Sequence, residues 1–296
     1  MEQRIGIIGI GRMGTPIAAR FVDGGLAVAV HDVRAEREQA ARDCGAEWRP
    51  SACAVAADAE VLITVLPGPA EVAAAVTEEV LAALAPGATW IDMSSNAPAA
   101  AAPLRERASA RGIGVLEAPI GGSPADAASG SLRLFVGGDG ELLARHRALL
   151  ELVADPRRIA LVGGPGAGYT VKLLINLLWF GQAAATAEAL LLGQRAGVDL
   201  NVLRDTLAES AAGSDFIRRD LSSLFAGDYL ASYPLDRIHD QLAVVASMAA
   251  ELATPHTITE RVRGLHQEAL ERYGPVDGEL LAVALLEEQA GTRLRG

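Results

Sequence analysis

The run Arg4-Ile5-Gly6-Ile7-Ile8-Gly9-Ile10-Gly11-Arg12-Met13-Gly14 decides the fold. Its first half is short and β-branched, the pattern of a buried strand. Its second half spells G-x-G-x-x-G, and an apolar-periodic helix follows, ending at Asp23-Gly24-Gly25. Such glycines, placed after a strand and opening a helix, form a dinucleotide-binding fingerprint. Gly9 permits a tight turn, Gly11 lets the backbone approach a pyrophosphate, and Gly14 lets the helix pack close on the strand. The helix N-terminus adds positive potential for the phosphates. Gly9, Gly11, Arg12, Met13 and Gly14 are therefore the candidate cofactor loop. Glycine is common here, 31 residues in 296, so the motif needs support from the next strand.

That strand is Ala27-Val28-Ala29-Val30-His31, and Asp32 stands at its end, eighteen residues after Gly14. A carboxylate there accepts hydrogen bonds from an adenosine ribose and repels a 2′-phosphate, which points to NAD. A second reading makes Asp32 the N-cap of a helix from Ala35 onward. Arg34 leaves room for a phosphate, so NADP stays open.

Strand and helix patterns then alternate: a helix near 35–44, a short helix after Ser51, a strand 61–66 and a helix from Pro69 to about Leu84. They continue with a strand 89–92, a helix near 98–110, strands 113–116 and 132–136, a helix 141–153 and a strand 159–162. Regular alternation predicts a doubly wound parallel sheet of the Rossmann type. Loops at the carboxyl ends of its strands, at Pro67, Ser94 to Ser95 and Gly121 to Ser123, are expected to line the cofactor crevice. After Gly163-Gly164-Pro165 only helical periods appear. The expected organisation is a dinucleotide-binding domain over 1–163 and an all-helical domain over 164–296, joined by a long helix to about Ala196. Helices at 199–210, 214–226, 235–252, 257–273 and 279–289 complete the second domain.

Lysine occurs once, at Lys172, against 25 arginines. Where a chain otherwise writes arginine throughout, a retained lysine marks a position that arginine cannot fill. Guanidinium stays charged, whereas an ε-ammonium can release its proton. Asn176 follows four residues later on the same helix face, within an otherwise apolar run from Val171 to Phe180. The alternative is a snorkelling lysine with its stem on apolar surface and its head in water.

Half the residues are hydrophobic, enough for large cores, and the formal net charge is −11. An acidic chain is a poor partner for nucleic acid or anionic membrane. Cys44 and Cys53 have neither metal-ligand spacing nor neighbouring histidines, so no metal is expected and a reducing cytoplasm is the plain reading. The longest apolar stretch, 171–192, is interrupted by Asn176, Gln182 and Glu188, and reads as a buried helix rather than a membrane span.

With these residues in place, the chain resembles the β-hydroxyacid dehydrogenases, the 3-hydroxyisobutyrate dehydrogenase-like family with the 6-phosphogluconate dehydrogenase-like fold. Its dinucleotide loop is similar to 9–14. Its Asp-Ala-Pro-Val-Ser-Gly-Gly substrate loop is similar to Glu117-Ala118-Pro119-Ile120-Gly121-Gly122-Ser123. Its catalytic helix, Gly-x-Gly-x-x-x-Lys-x-x-Asn-Asn, matches Gly166, Gly168, Lys172 and Asn176, and its Lys-Asp-Leu motif aligns with Asp240-Gln241-Leu242. The resemblance implies that Lys172 is the general acid/base and that Asn176, Ser95, Gly121, Gly122 and Ser123 meet the substrate. It implies that Leu66, Pro67, Ser95 and Asp240 lie at the cofactor beside Asp32 and the glycines. Three positions depart from the pattern: Gly121 replaces a serine, Ile175 an asparagine and Asp240 a lysine.

The expected activity is hydride transfer between NAD (or NADP) and a small 3-hydroxy acid, or the reverse reduction. One alternative is an imine reductase, a family that carries an acidic or tyrosine side chain where Lys172 stands. Another is a non-catalytic dinucleotide sensor, against which Lys172 and Asn176 argue. The apolarity of the long helix predicts a homodimer or larger assembly.

Overall fold

A computed structural model describes residues 3–296 and divides into two compact units, Met1–Lys172 and Leu173–Gly296. In the first, β1 (Arg4–Ile8), α1 (Gly14–Asp23) and β2 (Ala27–His31) form the opening βαβ unit. The chain continues through α2 (Glu38–Asp43), β3 (Glu47–Trp48), α3 (Ala52–Ala56), β4 (Val61–Thr64), α4 (Pro69–Ala75), α5 (Glu78–Ala83) and β5 (Thr89–Asp92). Then come α6 (Pro98–Ala110), β6 (Gly114–Glu117), β7 (Ile120–Gly121), α7 (Pro124–Ser129), β8 (Leu132–Gly138), α8 (Gly140–Leu150) and β9 (Ala154–Gly163).

The strand order is β3-β2-β1-β4-β5-β6-β8-β7, with β9 paired to β8. Pairing is parallel from β3 through β6, and β8 then runs antiparallel to both β6 and β7. The doubly wound sheet is thus mixed rather than wholly parallel. A parallel neighbour for β6 would need a long crossover; instead β7 continues in the direction of β6, and the short turn through α7 brings β8 back antiparallel to both. The order reverses between β1 and β4, the switch point where such sheets bind ligands.

Helix α1 shows why the sequence folds locally as it does. Gly14, Ile17, Ala18 and Phe21 recur at helical spacing and are buried. Burying each large apolar side chain contributes about 1.5–3 kcal/mol, which holds α1 against the strands. The helix expected from Pro69 to Leu84 is broken in two. Val76 leaves helical geometry, and the Thr77 hydroxyl accepts from the Val80 N–H to start α5.

The long helix α9 (Ala167–Arg195) begins in the first unit. It is long and apolar enough to cross a membrane by length and composition, but Ala183, Ala187, Leu190 and Leu191 are built into the core of the second unit. That unit also contains α10 (Leu200–Glu209), a π-helical turn leading into α11 (Leu221–Phe225), α12 (Leu235–Glu251), α13 (Thr257–Tyr273) and α14 (Leu281–Ala290). On α14 the fully buried Glu287 accepts from the Leu294 N–H at 2.6 Å and pairs with Arg293 and Arg295.

Buried His266 on α13 has Nδ1 2.9 Å from the Val262 carbonyl, to which it donates, and Phe180 lies edge-on to its ring. Burial lowers its pKa to about 4 from 6.5. The unfolded chain therefore takes up this proton first. The contribution is whole above about pH 6.5 and is lost as pH falls toward 4, by at most roughly 3 kcal/mol. Melting wild type and His266→Gln between pH 7 and 4.5 isolates this share from the carboxylates. The advantage of wild type should shrink with acid, and a gap that stays constant would exclude the effect.

Candidate active site

The glycine loop sits at the carboxyl end of β1, and its geometry explains its sequence. Gly9 has φ +95°, and a Cβ there would come within 2.5 Å of the Val65 carbonyl oxygen. A Cβ at Gly14 would overlap the Gly9 carbonyl oxygen. Gly11 differs: a Cβ would meet only Arg34 Nη2, at 3.4 Å, so its backbone is open to a ligand. The Thr15 hydroxyl donates to the Ile10 carbonyl and closes the loop at 2.8 Å. Such a cradle at a helix start fits a dinucleotide pyrophosphate. Arg12 is exposed on this loop and Met13 half-buried.

Asp32 does more than face the loop. Its Oδ2 accepts from the Ile10 N–H at 3.0 Å, and its Oδ1 accepts from the Arg34 N–H at 3.0 Å and from Arg34 Nε at 3.3 Å. It does not cap the turn at Ala35, whose preceding residue is Arg34. The carboxylate fixes the second residue of the glycine loop, while the guanidinium folds over it toward Gly11.

Two more strand ends join this crevice. Ser94 turns its hydroxyl to the Leu66 N–H at 2.9 Å, and the Ser95 N–H donates to the Leu66 carbonyl. The loops after β4 and β5 are thereby locked together, and the Val65 N–H, donating to the Ile8 carbonyl at 3.0 Å, ties them to the end of β1. They bring Leu66, Pro67 and Ser95 to the same end of the sheet as Gly9, Gly11 and Gly14.

On the substrate loop the structure assigns different jobs to residues that the sequence groups together. Ser123 makes a capping box with Asp126, giving its proton to Oδ2 at 2.7 Å while accepting from the Asp126 N–H. The hydroxyl expected at the substrate is spent on α7. Gly122 has φ +131°, a conformation that requires glycine. Gly121 lies beside Phe135, whose ring edge would be 3.1 Å from an added Cβ. The departure from serine at this position therefore accompanies a large ring packed beneath it.

Lys172 stands on α9 one turn beyond Gly168. A Cβ at Gly168 would press on the Phe135 carbonyl oxygen at 2.6 Å and the Gly137 nitrogen at 3.0 Å, so α9 starts in tight contact with β8. Side chains at i and i+4 share a helix face and lean toward the preceding turn. Lys172 is half-buried. In the second unit, Asn176 donates its amide to Gln241 Oε1 at 2.6 Å, and Gln241 donates to the Tyr233 hydroxyl at 2.7 Å. Gln241 and Tyr233 escaped the sequence reading: the contact to Asn176 spans 65 residues, and only the presence of Gln241 in the Asp240-Gln241-Leu242 motif hinted at it. Asp240 is exposed near His239, 3.9 Å from its Nδ1.

Against known proteins, residues 4–164 match the NAD-binding domain of 6-phosphogluconate dehydrogenase, and residues 166–286 match a domain described as NAD-binding of NADP-dependent 3-hydroxyisobutyrate dehydrogenase. The chain belongs to the 3-hydroxyisobutyrate dehydrogenase-like β-hydroxyacid dehydrogenases. It is an NAD(P)-dependent oxidoreductase. The chain is 30% identical to a 3-sulfolactaldehyde reductase of Escherichia coli over 90% of this chain and 89% of that one. It is 35% identical to a 3-hydroxyisobutyrate dehydrogenase of Pseudomonas aeruginosa over 71% and 70%. A solved Mycobacterium tuberculosis 3-hydroxyisobutyrate dehydrogenase with L-serine superposes with a TM-score of 0.88 at 26% identity, covering 96% of this chain and 99% of that one. Solved imine reductases share the fold at TM-scores of 0.59–0.67 and 17–21% identity, so they are the more distant relatives.

Proposed function

We propose that this dehydrogenase interconverts a small 3-hydroxy acid and the corresponding aldehyde or keto acid, with Lys172 moving the hydroxyl proton. The observation that carries this reading is a single lysine retained one turn inside a helix whose start is fixed against the sheet. A bound nicotinamide supplies the hydride acceptor or donor. Lys172 Nζ gives a proton to the carbonyl oxygen during reduction and takes it back during oxidation, the part of a general acid/base. Asn176, with its NH2 group held by Gln241, keeps its carbonyl oxygen for a ligand donor and orients the substrate. Ser95, Gly121 and Gly122 line the substrate side, and Ser123 shapes that loop through its cap. On the family resemblance, Leu66, Pro67 and Asp240 are the proposed cofactor contacts. A panel of hydroxy acids, aldehyde acids and cyclic imines, followed by nicotinamide absorbance, tests the reading. Turnover of imines alone would replace it with the imine reductase assignment, and no turnover at all would favour a dinucleotide sensor.

NAD is the expected preference, because a 2′-phosphate would meet the buried Asp32 carboxylate. Arg34 opposes this by lying over the same group. Measuring kcat/KM with each cofactor should favour NAD. Asp32→Asn, which can still accept from the Ile10 N–H, should narrow the ratio, and an NADP preference in wild type would show that Arg34 wins.

A homodimer is the expected assembly of this soluble, cytoplasmic enzyme. Leu192, Val198 and Val202 are 72%, 42% and 60% exposed in one chain, on α9, α10 and their connection. Sedimentation at micromolar concentration should give more than a monomer; monomer alone at all concentrations rejects the idea. The acidic surface keeps nucleic acid and anionic membrane out of the expected partners.

A further inference from the structure

Asp92 and Glu117 end the adjacent parallel strands β5 and β6, where they are register partners. Both are buried, Asp92 at 0% and Glu117 at 2% exposure. Buried carboxylates are costly unless paired or hydrogen-bonded, so what they hold is informative. Both hold the first turn of α9.

Glu117 Oε1 accepts from the Gly166 N–H at 2.6 Å, across 49 residues of sequence. The N–H groups of Gly168 and Tyr169 also favour its charged form, as does Arg105, 3.8 Å away on α6. A carboxylate at the start of a 29-residue helix is stabilised by orphan N–H groups and by the helix dipole. Burial opposes this and raises its pKa. Gly137 and Gly168 make the approach possible, since a Cβ at Gly137 would sit 2.5 Å from Glu117 Oε2 and 2.6 Å from the Gly168 nitrogen.

Asp92 acts on the same turn, through the Tyr169 side chain. Its Oδ2 accepts from the Tyr169 hydroxyl at 2.7 Å and from Asn96 Nδ2 at 3.0 Å. Its Oδ1 accepts from the Thr64 hydroxyl at 2.7 Å and the Ser94 N–H at 3.0 Å. Trp90 Nε1 donates in turn to Thr64. Tyr169 is fully buried and three residues before Lys172, hence adjacent to it on the helix surface. The same carboxylate therefore organises the Ser94 loop and the helix that carries Lys172.

We infer that Asp92 and Glu117 are positioning residues, a two-carboxylate clamp that sets the height and rotation of α9 and so places the Lys172 ammonium for proton transfer. The inference rests on Lys172 being the proton carrier. Both carboxylates act through the helix rather than on substrate. Transition-state geometry is unforgiving, and a shift of about 1 Å can cost on the order of 10²-fold in rate.

Two conservative variants of the full-length enzyme test the clamp. Glu117→Gln keeps shape and the acceptor for the Gly166 N–H but removes the negative charge beside Arg105 and the start of α9. Tyr169→Phe removes one donor from Asp92, which retains Thr64, Ser94 and Asn96, so the fold survives. Each is expected to lower kcat by roughly ten- to a hundredfold. Dinucleotide affinity, read by nicotinamide fluorescence, should stay within about threefold, and amide exchange over 166–172 should accelerate. Glu117→Asp keeps the charge one methylene short and should fall between wild type and Gln. Turnover within threefold of wild type in both folded variants overturns the clamp, and so does a fall in kcat matched by an equal loss of dinucleotide affinity. The failures are distinguishable. A native-like Lys172→Arg enzyme removes the role of Lys172 and the clamp with it. An inactive Lys172→Arg beside fully active Glu117→Gln and Tyr169→Phe removes the clamp alone.

Discussion

Lys172→Arg is expected to fold, to bind dinucleotide as wild type does, and to turn over roughly 10²–10⁴-fold more slowly. Arginine keeps the charge and most of the length, so electrostatics and packing at the start of α9 are little changed. It cannot give up its proton at working pH, so it neither delivers nor accepts the proton of the substrate. The loss should fall on kcat rather than on cofactor affinity. Stopped-flow or steady-state absorbance of the nicotinamide reads the rate, and fluorescence titration reads the affinity. If Lys172 were only a snorkelling side chain or an electrostatic clamp on a substrate carboxylate, arginine would serve nearly as well. Near-native turnover would then remove Lys172 from the chemistry.

That lysine was legible because sequence composition isolates it; the apparatus that places it was not. The strand–glycine–helix opening, the helix from Pro98 and the long helix from Gly166 all carry local signals, so periodicity and punctuation suffice to find them. The two-residue strand Ile120–Gly121 has no period to detect, and with it the antiparallel half of the sheet was hidden. Glu117 read as one letter of a substrate loop, because its partner at Gly166 lies far along the chain and only the sheet brings them together. Asp92 likewise meets Tyr169 across 77 residues. At Ser123 the cap itself was legible. The Ser-Pro-x-Asp spacing from Ser123 to Asp126 is a local capping signal, and the resemblance to a substrate loop outweighed it. Gly121 shows what a family pattern alone cannot reveal: the ring of Phe135 on the neighbouring strand leaves little room for a side chain there.

Two glycines of one motif should fail in different ways. In Gly14→Ala the new methyl overlaps the Gly9 carbonyl oxygen, a backbone atom that no side-chain rotation can move aside. Either α1 shifts off β1 or the Gly9 turn opens, and overpacking of this kind costs roughly 1–3 kcal/mol. The ligand-free protein should therefore melt several degrees lower, and dinucleotide affinity should fall because the cradle itself has moved. In Gly11→Ala the methyl meets only the flexible end of Arg34, at 3.4 Å, so the ligand-free protein should melt as wild type does. The methyl instead occupies the space through which a pyrophosphate reaches the backbone N–H groups. A hydrogen bond to a charged group contributes about 1.5–3 kcal/mol, so each one lost weakens binding roughly ten- to a hundredfold. Thermal melts without dinucleotide, beside fluorescence titrations with it, separate the two effects. Equal destabilisation of the ligand-free proteins would mean that Gly11 serves the fold rather than the cofactor. Undiminished dinucleotide affinity in Gly11→Ala would place the pyrophosphate away from this loop.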